Sequence, residues 1–60
     1  MTDISIVQHL SEGKTVKEIA SLNNVKVRAM EHRILLMRTK YFALTIHHLV
    51  AIFFRKDLIK

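Results

Sequence analysis

One glycine and no proline interrupt this sequence, so few residues can stop a helix, and their positions limit where its elements end. Gly13 and the Asn23-Asn24 pair are the clearest breaks. No Asn-Gly or Asp-Gly hairpin dipeptide occurs and no apolar alternation is sustained, so nothing reads as a strand. The stretches between the breaks follow helical periodicity, which predicts an all-α fold of four helices in a single domain spanning residues 1–60. The absence of cysteine removes disulfides and thiolate metal sites. A chain of sixty residues hides only about 60% of the surface its unfolded form exposes. Its core must therefore be economical or shared with a partner.

The first helix is expected from about Asp3 to Glu12, with Ile4, Val7 and Leu10 or Ser11 on its inner face and Gly13 as a left-handed C-terminal residue. Thr15-Val16-Lys17-Glu18 is a capping-box pattern: the Thr15 hydroxyl can accept from the Glu18 amide while the Glu18 carboxylate accepts from the Thr15 amide. It starts a second helix, Val16 to Leu22, that turns Ile19 and Ala20 inward. Asn24 suits the left-handed conformation of a tight turn. The third helix runs from about Lys26 to Lys40 on an apolar stripe of Val27, Met30, Ile34, Met37 and Tyr41. Lys26, Arg33 and Lys40 form a basic row on it at seven-residue spacing. After a break near Phe42-Ala43-Leu44, Thr45 caps a fourth helix that ends at Arg55-Lys56, cations suited to the negative end of its dipole.

Ten Lys and Arg against five Asp and Glu give a net charge of +5, a balance that favours polyanionic partners. Met1-Thr2-Asp3 opens with an early acid and no basic-then-apolar run, unlike a signal peptide. Tyr41 to Phe54 is a run of fourteen residues without Asp, Glu, Lys or Arg, short of the roughly 20 that a membrane helix needs. With no cysteine, this suits a cytoplasmic protein that does not enter the membrane. His47 and His48, being adjacent, diverge by about 100° on a helix and cannot chelate together. No histidine pair stands at i,i+4 to hold a metal. The sequence has no cysteine nucleophile, no usefully spaced pair of carboxylates and no glycine-rich phosphate loop, so it reads as neither an enzyme nor a cofactor protein.

A short helix (Val16 to Leu22), a tight turn (Asn23 to Val25) and a longer basic helix are the ingredients of a helix-turn-helix. In that motif the first helix braces the second, whose N-terminal residues approach base edges in the major groove. Here the residues resemble a known family, the LuxR/GerE-type helix-turn-helix domains. The family reads roughly Leu-x-x-Gly-x-Ser/Thr-x-Lys-Glu-Ile-Ala before its turn. This chain has Leu10-Ser11-Glu12-Gly13-Lys14-Thr15-Val16-Lys17-Glu18-Ile19-Ala20. Asn24-Val25-Lys26-Val27-Arg28-Ala29-Met30-Glu31 is similar to the family's Gly/Asn-Ile/Val-Ser-x-Arg/Lys-Thr-Val-Glu/Lys, and Lys40-Tyr41 falls at its closing Lys-Leu. The chain departs where Lys26 replaces the serine that caps the third helix and where Ala29-Met30 replaces Thr-Val. His32-Arg33 also comes one residue earlier than the family's His-Arg.

The resemblance implies a sequence-specific transcriptional regulator that binds double-stranded DNA as a homodimer, with the third helix in the major groove and the fourth pairing the copies. Arg28 is the first candidate for a base contact, since arginine can pair bidentately with guanine. Lys17, Lys26, Arg33 and Lys40 are phosphate candidates, and His32 belongs to the same face. Val27 could touch a thymine methyl or lie in the core. Glu31 could accept from cytosine or orient Arg28, and Thr15 is first a helix cap. The chain carries no receiver or sensing domain. It reads as a free-standing regulator or an excised output domain, and Met1 and the C-terminal cations favour the former.

Leu44, Ile46, Leu49, Val50, Ala51, Ile52, Phe53 and Phe54 are too many apolar residues for one helical face. Three other short helices are not expected to enclose them. A second copy is therefore expected over Ile46, Leu49, Val50, Phe53 and Phe54. The competing reading is a small protein-interaction module that pairs with another transcription factor or with polymerase, without reading DNA.

Overall fold

The computed structural model describes residues 2–60. Among them it forms four helices and no strand: α1 (Asp3–Ser11), α2 (Val16–Leu22), α3 (Val27–Lys40) and α4 (Ile46–Arg55). Local side-chain chemistry starts three of them. The Thr15 hydroxyl accepts from the Glu18 amide at 3.1 Å and the Glu18 carboxylate from the Thr15 amide at 3.0 Å, closing the capping box. Thr2 and Ser5 make the same exchange at the head of α1, at 3.2 and 3.1 Å. Thr45 caps α4 by accepting from the His48 amide at 3.0 Å. Lys26, at the head of α3, makes no side-chain cap.

All four helices end alike. The residue after each C-cap is left-handed, Gly13 at φ 87° and Asn24, Phe42 and Asp57 each at φ 57°. The next amide then donates back across the turn: Lys14 to His9, Val25 to Ala20, Ala43 to Arg38 and Leu58 to Phe53. These are Schellman closures, which satisfy carbonyls that the helix leaves orphaned. Gly13 and Asn24 were legible as such. Phe42 was not, because a phenylalanine has no intrinsic preference for that conformation.

The core joins all four helices through Ile6, Val7, Ile19, Ala20, Met30, Ile34, Met37, Leu49 and Phe53, together with Ala43 and Ile59. α2 packs on α3 and α1 on α4, with α3–α4 and α1–α2 contacts closing the bundle. On α1 the buried pair is Ile6 and Val7, whereas Ile4 is exposed, so the inner face is rotated from the expected Ile4–Val7–Leu10 line. On α3 the stripe holds at Met30, Ile34 and Met37, while Val27 at its start is exposed.

The expected enclosure of α4 needs correction. Leu49 and Phe53, assigned above to a second copy, are fully buried within one chain. α1 and α3 cover them, the Tyr41 ring meets Phe53 edge-on at 4.9 Å, and the C-terminal segment folds back to bury Ile59. That segment is held on α1 by Gln8, whose Oε1 accepts from the Lys60 amide at 3.0 Å. The expectation counted helices as the only covering elements and omitted this return of the chain.

Candidate nucleic-acid interface

The α2–turn–α3 unit sets the geometry of the basic face. Ile19 and Ala20 anchor α2 in the core, and the left-handed Asn24 reverses the chain so that Val27 begins α3. With Met30, Ile34 and Met37 turned inward, helical periodicity leaves Arg28, His32, Leu35 and Thr39 along the outer face, all exposed. Lys26 and Glu31 are exposed beside them. Glu31 forms no ion pair with Arg28, so the orienting role considered for it is absent from this arrangement.

The cations fall into two sets. Among the described residues, Lys14 and Arg33 are the ones engaged with carboxylates: Lys14 with Glu12 at 3.4 Å and Arg33 with Asp3 at 3.1 Å. Lys17, Lys26, Arg28 and Lys40 are exposed and have no such partner there. The seven-residue row of Lys26, Arg33 and Lys40 is consequently not one free stripe. Arg33 spends its guanidinium on α1, and Lys40 borders the same cleft as Asp3 and Arg33, its ammonium 5.5 Å from the Tyr41 ring centre. Arg33, a phosphate candidate above, here forms an interhelical pair with Asp3. Arg38 donates from Nη2 to the Leu44 carbonyl and so ties the α3–α4 loop to α3.

Charge is unevenly distributed along the chain. From His32 to Lys56 there is no Asp or Glu, while Arg33, Arg38, Lys40, Arg55 and Lys56 are all present. Two acids near the Thr15 turn, Glu18 and Glu12, are shifted toward their ionised form. The Thr15 amide, hydrogen-bonded to Glu18, holds its carboxyl below the usual 4.5. A hydrogen bond from Lys14 is the main cause of the same downward shift at Glu12. Thr15 acts as the cap of α2, its first reading.

On α4, His47, Val50, Ala51 and Phe54 form an outward i, i+3, i+4, i+7 line, with Phe54 61% exposed. Beside it lies a groove of about 550 Å³ between the α1–α2 turn and α4, lined by Leu10, Val16, Ile46, His47 and Val50 among others. Ile46, Val50 and Phe54 therefore keep some accessible surface, unlike Leu49 and Phe53. His48 faces differently: its Nδ1 accepts from the Leu44 amide at 3.1 Å. Among the described residues, no three His, Asp or Glu side chains converge on a possible metal position. No helix there is long and apolar enough to cross a membrane.

Two features of the site escaped the sequence reading. Leu35 and Leu36 stand 53% and 55% exposed in the second half of α3. The signal was available, since both lie off the Met30–Ile34–Met37 stripe. Comparison with protein-family models, curated proteins and solved structures finds no match.

Proposed function

We propose that this chain is a DNA-binding helix-turn-helix domain of a transcriptional regulator, resembling the LuxR/GerE type and acting as a homodimer. The observation that carries this reading is the exposed outer face of α3, where Arg28 and His32 follow Lys26 directly after the left-handed turn at Asn24. An arginine near the start of such a helix is placed to pair with guanine in the major groove. Lys17, Lys26 and Lys40 add charge for phosphates. Val27, partly exposed at the start of the inner stripe, would offer an apolar contact at the head of α3, and Glu31 suits a cytosine amine.

The homodimer in this reading uses the outward line of α4. An antiparallel pairing centred between Val50 and Ala51 sets each Phe54 against the other copy's His47 and the groove beside it. Ala51 is small enough to let the two helices approach. Two copies would then address half-sites about one helical turn apart.

The second reading, a protein-interaction module, is favoured by the exposure of Leu35 and Leu36 on α3. Titration of labelled duplex DNA with the wild type and with Arg28→Ala separates the two. A DNA-binding domain binds the duplex and loses affinity in the variant, by about 1–3 kcal/mol if Arg28 pairs with a guanine. An interaction module binds neither well and shows no difference.

A further inference from the structure

Leu35 lies on the same outer line of α3 as Arg28. Seven residues separate them, nearly two full turns, so their side chains leave the helix within about 20° of each other. Leu35 is 53% exposed, yet Met30, Ile34 and Met37 on the opposite side show that α3 had core positions to fill with apolar residues. Leu36 is exposed too, but it borders the cleft of Asp3, Arg33, Met37 and Lys40 and so belongs to the α1 side. Leu35 instead borders a shallow depression lined by Val16, Glu31, Ile34, Arg38 and Ile46. It is the apolar member of a line whose other exposed members, Arg28, His32 and Thr39, are polar.

We infer that Leu35 is a specificity-determining residue of the DNA face, packing against the 5-methyl group of a thymine about three base steps from the base that Arg28 reads. The inference rests on the DNA-binding reading above and deepens it. Lys26 and Arg28 precede Leu35 along α3 without a carboxylate partner among the described residues, which leaves them free to meet an anionic occupant. The thymine methyl is the apolar group that the anionic major groove presents, and apolar side chains read it. With α3 laid along the groove, seven residues at about 1.5 Å each span about 10.5 Å. Base pairs about 3.4 Å apart make that about three steps. The target class is therefore a duplex in which a guanine is followed, about three positions along the groove, by a thymine.

The test starts with selection of duplexes from a random pool by the wild-type chain. Each thymine of the selected site is then replaced by deoxyuridine, which removes the methyl and leaves the base pair intact. One replacement is expected to weaken wild-type binding about fourfold, equivalent to about 0.8 kcal/mol for one buried methyl-sized group. The same replacement is expected to leave binding by Leu35→Ala unchanged, and Leu35→Ala itself loses a similar factor on the thymine site. Because Leu35 is exposed and alanine is a strong helix former, the variant retains the fold. A selected site without thymine, a silent deoxyuridine series, or an equal loss in wild type and variant overturns the inference while leaving DNA binding intact. Failure of every duplex to bind in a salt-dependent way overturns the DNA reading and this inference together.

Discussion

The Arg33 guanidinium reaches one oxygen of the Asp3 carboxylate from both Nε, at 3.3 Å, and Nη2, at 3.1 Å, joining the middle of α3 to the first turn of α1. The side chains are 38% and 31% exposed, so solvent screens the pair. Such pairs contribute about 0.2–1 kcal/mol. Asp3→Asn is expected to lower urea-unfolding stability within that range. Because the guanidinium is already committed, Arg33→Gln is expected to leave the salt dependence of DNA affinity unchanged. Lys17→Ala, by contrast, should reduce the log–log slope by about 0.9. A comparable reduction in Arg33→Gln would show that Arg33 leaves Asp3 for a phosphate.

Phe53 and Phe54 are neighbours in sequence with opposite fates, one fully buried and the other 61% exposed. Truncating a buried phenylalanine costs about 3–5 kcal/mol, a large share of what a domain this small possesses. Phe53→Ala is expected to melt far below the wild type. Phe54→Asp is expected to keep the monomer's helical circular dichroism while shifting sedimentation at micromolar concentration from dimer to monomer. A wild type that sediments as a monomer would refute the α4 pairing, as would a Phe54→Asp dimer of undiminished affinity.

The Thr15–Glu18 capping box makes a pH-dependent contribution whose sign is set. The Glu18 carboxyl is lowered from 4.5 in the folded chain, chiefly by the Thr15 amide. A depressed folded value stabilises the protein above the unfolded value, and the contribution disappears as pH falls through the folded one. Glu12 is shifted in the same direction. The stability gap between wild type and Glu18→Ala should be complete near neutrality and close as pH drops below about 4. Thermal melts across that range check it. Thr15→Ala, which removes the hydroxyl cap, should cost about 1 kcal/mol at neutral pH.

Phe42 sits at φ 57° with 87% of its surface exposed. Its ring gains little from the fold, while its backbone occupies a region that asparagine visits far more readily. Phe42→Asn is therefore expected to stabilise the chain by about 1 kcal/mol. In a domain of this size that is a rise of about 4–8 °C in Tm. An unchanged or lower Tm would mean that the ring makes a contact worth as much as the backbone strain.

What the sequence disclosed were its local signals. The Thr15–Glu18 box, Gly13, Asn24 and Thr45 each act within a few residues, so their hydrogen bonds can be read directly from spacing. The choice between Ile4 and Ile6 on α1 depends on which side α4 approaches, and nine residues of weak periodicity do not encode that. The burial of Leu49 and Phe53 is not legible because much of their cover comes from α1, at the other end of the chain. The Arg33–Asp3 pair is not legible for the same reason: its two residues stand thirty apart in sequence. The free part of the basic face, Lys26 and Arg28, was legible because no long-range contact claims it.

The most direct test of the central claim is a fluorescence-anisotropy titration of a labelled random duplex, repeated over a salt series. Each phosphate neutralised contributes about 0.9 to the slope of log affinity against log salt. The phosphate candidates Lys17, Lys26 and Lys40 lead to an expected slope of about 2.7 for one bound copy and about 5.4 for two. No binding at low salt, or binding that is indifferent to salt, would contradict the DNA-binding account.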